Sequence, residues 1–143
     1  MQQIEIRPFQ EAERSSVIAL WTAVFGYSAP HNEPGKVIQH KLALQRDLFF
    51  VARLDGRLVG TVMGGYDGHR GWLYSFAVSP EVRRRGIGAA LIQHVEQELT
   101  KMGCPKINLQ VVASNAAVIN FYQKLGYASE ERIGMGKLTS AAP

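Results

Sequence analysis

The run Arg83-Arg84-Arg85-Gly86-Ile87-Gly88-Ala89 holds the residues best suited to chemistry. It follows a strand-like stretch, Trp72 to Ser79, and opens a helix-like stretch that continues to about Met102. The first N–H groups of a helix lack intrahelical acceptors and the helix dipole is positive there, so a glycine loop at a helix start is an anion site. The three arginines add charge-assisted donors, and together they read as a cradle for a pyrophosphate. The one cysteine, Cys104, sits between Gly103 and Pro105 with no His or carboxylate beside it, which suits a structural thiol better than a nucleophile.

The elements that must position this loop follow from periodicity and turn residues. Gln3 to Phe9 alternates as a short strand. Gln10 to Phe25 carries Val17, Leu20, Trp21 and Val24 at helical spacings before Gly26, and Ser28 to Asn32 reads as loop. A second helix runs from Glu33 or Pro34 to about Leu44, with Val37, Lys41 and Leu44 on one side. Asp47 to Leu54 and Arg57 to Tyr66 are strands joined by the hairpin signal Asp55-Gly56, and with Trp72 to Ser79 they make an antiparallel meander. Ile87, Leu91, Val95, Leu99 and Met102 fall on one face of the following helix. Lys106 to Val112 returns as a strand, parallel to Trp72–Ser79 through a right-handed crossover. Asn115 caps a helix bearing Val118, Phe121, Tyr122 and Leu125, and Gly126 ends it. Tyr127 to Glu131 and Gly134 to Leu138 read as a closing pair of strands, and Thr139 to Pro143 as a tail. The expected fold is α/β: one domain over residues 1–143, with a mixed, mostly antiparallel twisted sheet, a central parallel pair and flanking helices.

Composition narrows the function. With 143 residues, 46% hydrophobic and 20% charged, the chain has the makings of one soluble core. No apolar run approaches the roughly 20 residues of a membrane span, and the N-terminus lacks the regions of a signal peptide, so a cytoplasmic protein without membrane partners is expected. The net charge of +4 resides largely in Arg83, Arg84 and Arg85. One compact cluster fits a small phosphorylated ligand better than nucleic acid, whose binders spread basic residues along a face.

Two nucleotide loops can be tested against context. A Walker loop needs Gly-Lys followed by Ser or Thr, which is absent here. A dinucleotide fingerprint needs a third glycine after the first strand of an alternating βαβ chain, whereas Gly86-Ile87-Gly88 follows a meander.

The run Leu73-Tyr74-Ser75-Phe76-Ala77-Val78-Ser79-Pro80 with Arg83-Arg84-Arg85-Gly86-Ile87-Gly88-Ala89 resembles the cofactor motif of the GNAT acetyltransferases, Arg/Gln-x-x-Gly-x-Gly/Ala after a strand. Leu109-Gln110-Val111-Val112-Ala113-Ser114-Asn115 with Asn120-Phe121-Tyr122-Gln123-Lys124-Leu125-Gly126-Tyr127 resembles that superfamily's second motif, and Gly60 to Gly71 is similar to the YpeA-type bacterial subgroup.

The resemblance implies acetyl-CoA as donor, no metal, and a small-molecule or peptide amine as acceptor. Backbone N–H groups from Arg84 to Ala89, with the Arg83, Arg84 and Arg85 side chains, would hold the pyrophosphate. The backbone of Phe76, Ala77 and Val78 would pair with the pantetheine amides like an added strand. Asn115 would contact the pantetheine arm, a role it shares with plain helix capping. Tyr122 would protonate the leaving thiolate, although its place on an apolar stripe equally suits a core tyrosine. Where some protein-N-terminal acetyltransferases of the superfamily carry a Glu, this chain has Gln110, which accepts no proton at neutral pH and speaks against ribosomal-protein acetylation. His31, Glu33, Asp67, His69 and Glu81 are the substitutes for a base, alongside a water chain. Pairing as a homodimer is a habit of the superfamily. Two other classes stay open: a non-catalytic acyl-CoA-binding or sensor domain, and a basic nucleic-acid-binding module.

Overall fold

Tight turns and nearly continuous burial of the central strands shape the sheet in the computed structural model, which describes residues 3–26 and 30–140. Ser28 and Ala29 of the expected loop, and the end of the expected tail, lie outside the described residues. The chain divides into two compact units, Met1–Leu109 and Gln110–Pro143.

The first unit holds β1 (Ile4–Pro8), α1 (Arg14–Phe25), α2 (Pro34–Ala43), β2 (Phe49–Leu54), β3 (Arg57–Tyr66), β4 (Gly71–Val78), α3 (Ile87–Lys101) and β5 (Ile107–Leu109). The strands lie in chain order, β1-β2-β3-β4-β5. Neighbours are antiparallel except β4 and β5, the parallel pair that the crossover through α3 demands. The second unit is built on α4 (Ala116–Lys124). Tyr127 to Leu138 forms no strand, so the expected closing pair is absent and β5 ends the described sheet. Ile133, Met135 and Leu138 in this segment are exposed. Leu44 also departs from expectation: it stands past the end of α2, 72% exposed, and Ile38 takes the buried position.

The two faces of the sheet carry different helices. Trp21, Val17 and Leu20 of α1 and Ile38 of α2 pack with Phe49, Val51, Met63 and Ala77. On the alternate face of β3, α3 comes so close that a Cβ at Gly64 would stand 2.7 Å from Val95 Cγ2, and one at Gly60 would stand 2.8 Å from Leu91 Cδ1. These two glycines are what permit the helix to lie against the strand.

One buried carboxylate ties the N-terminal elements together. Glu13, 5% exposed, accepts from Arg7 Nη2 of β1 at 3.0 Å, from Arg53 Nη1 of β2 at 2.9 Å and from the Gln10 backbone N–H at 2.9 Å. Burial works to raise its pKa, and the Gln10 N–H with the two guanidinium groups outweighs that, leaving the carboxyl below its ordinary value. Glu13→Gln is therefore expected to cost about 2 kcal/mol near pH 7, read by urea unfolding. A depressed folded pKa adds stability above the unfolded value and loses it as pH falls through the folded one. The difference between wild type and variant should accordingly be full above about pH 5 and shrink in more acid solution. A gap that is constant with pH would show that charge plays no part.

Candidate functional site

The site is built where β4 runs beyond its parallel neighbour. Register between β4 and β5 comprises Gly71↔Ile107, Trp72↔Asn108 and Leu73↔Leu109, and β4 then continues from Tyr74 to Val78 past the last of these pairs. On its other side β4 stays bound to β3 through Ala77↔Thr61 and Val78↔Gly60. Phe76, Ala77 and Val78, expected to line a pantetheine arm, all fall in this extension.

A β-bulge begins the extension. Tyr74 pairs with Met63 and Ala77 with Thr61, so two residues of β4, Ser75 and Phe76, oppose the single Val62. Ser75 takes the left-handed conformation at φ +50, unfavourable for a residue with a Cβ. It is held by a buried relay: Trp21 Nε1 donates to Thr61 Oγ1 at 2.8 Å, and Thr61 Oγ1 donates to the Ser75 carbonyl at 2.9 Å. Thr61 is wholly buried, so its hydroxyl has no water to fall back on.

The arginine loop follows directly. A short 3₁₀ turn, Pro80–Val82, buries Val82 and delivers the chain to Arg83. Arg84 at φ +68 and Gly86 at φ +80 are left-handed, and α3 begins at Ile87. Arg83 before them is extended, and turn conformations of this kind group successive N–H groups into an anion-binding nest. The first intrahelical bond that reaches back to the loop is Ala90 N–H to Gly86 O, at 3.0 Å, so Ile87, Gly88 and Ala89 supply the first-turn N–H groups. Arg83, Arg84 and Arg85 are exposed, with Arg83 Nε donating to Val78 O at 3.3 Å. A Cβ at Gly86 would meet nothing within 4 Å, so glycine is required there for its backbone angle alone.

Asn115 and Tyr122 belong to the second unit. Asn115 is the N-cap of α4, its Oδ1 accepting the Val118 N–H at 3.2 Å. Tyr122 is buried, edge-on to Phe121 at 5.2 Å and to Tyr127 at 5.6 Å between centroids. Burial raises its pKa well above that of an ordinary phenol. The proton therefore stays on at neutral pH, and passing it to a thiolate costs more than the roughly 2 kcal/mol that unperturbed values give.

The sequence candidates for a base are committed elsewhere. Glu33 caps α2, accepting from the Gly35 and Lys36 N–H groups at 3.0 Å, and those bonds hold its pKa down. Asp67 accepts from the N–H groups of Arg70 and His69 at 2.7 Å each, with the same effect. A carboxylate so held is a weaker base than a free one. Glu81 pairs with Arg57 on the surface, and His31 and His69 are exposed. Cys104 is buried, its thiol donating to Lys106 O at 3.2 Å, and a Cβ at Gly71 would stand 2.8 Å from its sulfur. That is a packing role. Among the described residues no group of three His, Cys, Asp or Glu side chains is placed to hold a metal.

Sequence reading passed over one pair. Lys41 of α2, 5% exposed, donates from Nζ to the Gly64 carbonyl of β3 and, at 2.7 Å, to Tyr74 Oη of β4. The signal was present, since Lys41 lies on the apolar side of its helix one turn after Val37 and Ile38.

A five-stranded mixed sheet with a glycine loop at the head of its crossover helix defines an α/β protein. The model of the acetyltransferase (GNAT) family matches residues 14–127, and the chain belongs to that family. It is 45% identical over 134 residues to an acetyltransferase of Yersinia enterocolitica, covering 94% of each chain. Among solved structures it is similar to the PaiA N-acetyltransferase of Thermoplasma acidophilum in complex with coenzyme A, with a TM-score of 0.80, 23% identity and 92% and 94% of the two chains covered. It is also similar to an aminoglycoside N-acetyltransferase in complex with CoA, with a TM-score of 0.78, 20% identity and 96% of each chain covered.

Two substitutions probe the architecture of the site. Thr61→Val should leave the buried Trp21 N–H and Ser75 carbonyl without partners, lowering stability by about 2–3 kcal/mol in denaturant unfolding. Gly86→Ala forces a Cβ into the left-handed region at about 1–2 kcal/mol. With no clash to relieve, the strain should appear chiefly as a weaker affinity for acetyl-CoA, about fivefold or more by calorimetry. Unchanged affinity in that variant would remove the loop from the binding site.

Proposed function

We propose that the chain transfers the acetyl group of acetyl-CoA directly to a primary amine of a small molecule or peptide. The observation that carries this reading is the continuity of two features: the β4 segment Tyr74–Val78 beyond its last pair with β5, and the nest at Arg83–Ala89 into which that segment leads. An extended arm ending in a pyrophosphate matches such a track, with strand-like amide pairing along Phe76, Ala77 and Val78 and anion contacts at the N–H groups from Arg84 to Ala89. The arginine side chains add charge-assisted bonds, weakened by their exposure. The family match spans both compact units, residues 14–127, which supports one domain over 1–143.

The chemistry asked of the residues is modest. Binding donor and acceptor in one complex makes the attack effectively intramolecular, and oriented backbone N–H groups polarise the thioester carbonyl. Tyr122 keeps its proton at neutral pH and gives it to the departing thiolate. Asn115 holds the start of α4 and offers its side-chain N–H groups to the pantetheine arm. With Cys104 buried against Gly71, attack by the amine in a ternary complex is the route, without an acetylated enzyme. A cytoplasmic location follows the same reading; no described helix is long and apolar enough to cross a membrane.

Calorimetric titration with acetyl-CoA tests the donor. At a hundredfold excess over its Kd, acetyl-CoA should stabilise the fold by about 2.7 kcal/mol, and neither heat nor stabilisation at millimolar concentration would refute the reading. For Tyr122→Phe, we expect kcat to fall by about 10²-fold with acetyl-CoA affinity retained. Because an acid fails as pH rises through its pKa, and that of Tyr122 is raised, wild-type kcat should show no basic limb up to about pH 10.

A further inference from the structure

Every carboxylate proposed as a base from the sequence is capped, turned inward to backbone N–H groups, or paired on the surface. Lys41 has a different environment. Its Nζ is buried between α2, β3 and β4, touching the Gly64 carbonyl, the Tyr74 hydroxyl at 2.7 Å and, at 5.1 Å from the centroid, the Tyr74 ring. Among the described residues no carboxylate comes within 4.0 Å of it. A lysine used only to cross-link helix and sheet would keep its charge, which is costly in such a place without an anion.

Tyr74 is placed to use it. The residue directly follows the last β4–β5 pair and directly precedes the bulge at Ser75, and it is 41% exposed. With the pyrophosphate at Arg83–Ala89, an arm running back along β4 from Val78 to Phe76 brings its thioester end to the level of Tyr74. The acceptor amine must arrive there.

We infer that Tyr74 and Lys41 form the proton-accepting pair for the acceptor amine, Tyr74 Oη meeting the amine and Lys41 Nζ taking the proton behind it. The inference rests on the acetyl-transfer reading above. In the neutral state Lys41 donates to Gly64 O while its lone pair accepts the Tyr74 O–H, and the 2.7 Å separation suits this direction as well as the reverse. The acceptor ammonium passes a proton to Tyr74 Oη as the Oη–H proton passes to Nζ; the products are a neutral amine and a Lys41 ammonium, with no change in total charge. The amine then attacks, the C–N bond forms and the C–S bond breaks. The thiolate takes the Tyr122 proton, and the second amine proton passes through water to the Tyr122 phenolate, which restores it. Lys41 returns its proton to solvent through the exposed Tyr74. Net, one acetyl group moves and one proton is released.

Burial lowers the Lys41 pKa to about 8, which makes its neutral form accessible near neutral pH. The other titratable groups on the elements around it are Arg14 of α1, His31 in the turn before α2, Glu33, Lys36 and His40 of α2 and its cap, Arg46 and Asp47 after it, Arg57 and Tyr66 of β3, Asp67 directly after β3, and Arg70 beside β4. None of them hydrogen-bonds or ion-pairs with Lys41, and Tyr74 is the titratable group in contact.

The test uses the full chain with acetyl-CoA and three probes, benzylamine, spermidine and a lysine-containing peptide, following thiol release from pH 6 to 9.5. A base must be deprotonated, so wild-type kcat/KM should rise about tenfold per pH unit and level off near pH 8. Lys41→Arg keeps a cation and its donors but cannot lose the proton; kcat should fall by about 10²-fold with the limb near pH 8 gone and KM for acetyl-CoA unchanged. Tyr74→Phe, at an exposed position that guards against misfolding at Lys41, should fall similarly and retain the thermal stabilisation by CoA. Wild-type rates and an unaltered limb in either variant would overturn the pair while leaving acetyl transfer standing. If CoA stabilises the wild type but none of the three amines is acetylated, amine transfer itself is overturned and the pair with it.

Discussion

The hydroxyl of Thr61 is the joint on which the site depends. It accepts from Trp21 of α1 and donates to Ser75 of β4, so a single buried oxygen couples the helix layer, the middle strand and the bulge. Without that second bond the part-buried Ser75 carbonyl would lose its donor, and the left-handed turn at φ +50 would lose a contact that offsets its strain. The bulge in turn decides which β4 residues face α1 and α2. Tyr74 and Ala77 lie on that face with two residues between them, where an unbroken strand would allow one or three.

Charge is divided with similar economy. The acidic side chain that is most deeply buried, Glu13, is satisfied three times over by groups from β1, β2 and the turn before α1. The basic side chains that lie together, Arg83 to Arg85, stand in solvent at the head of α3. The first arrangement gains from a low dielectric and good geometry; the second stays solvated. Lys41 belongs to neither group. It is a buried amine with only dipoles around it, and such a group is easily made neutral.

Much of the layout was legible from local rules. Asp55-Gly56 marked the hairpin, Gly86 the start of α3, and the spacing of Ile87, Leu91, Val95 and Leu99 its buried face. The crossover from β4 through α3 implied a parallel partner, and β5 is parallel. What escaped notice depends on partners distant in sequence. Nothing in Leu73-Tyr74-Ser75-Phe76 announces a bulge, because its donor lies on Thr61. Lys41 falls on the same helix side as Val37, but its partners, Gly64 and Tyr74, lie far along the chain and are brought against it only by the fold. Tyr127 to Glu131 and Gly134 to Leu138 read as two closing strands, yet a strand forms only where a sheet edge accepts it.

The order of the sheet also has a bearing on how the chain assembles. The β2–β3–β4 meander joins neighbours through short turns, whereas β1 finds its place only by pairing Ile4 with Leu54 across both early helices. Closing so long a loop is entropically slow relative to closing hairpins. During synthesis β1, α1 and α2 emerge before the strand that shelters them, leaving Trp21, Leu20 and Ile38 in water for that interval. The N-terminal segment is thus the part of the protein most exposed to misassembly, and the Arg7–Glu13–Arg53 cluster is the latch that closes it once β2 exists.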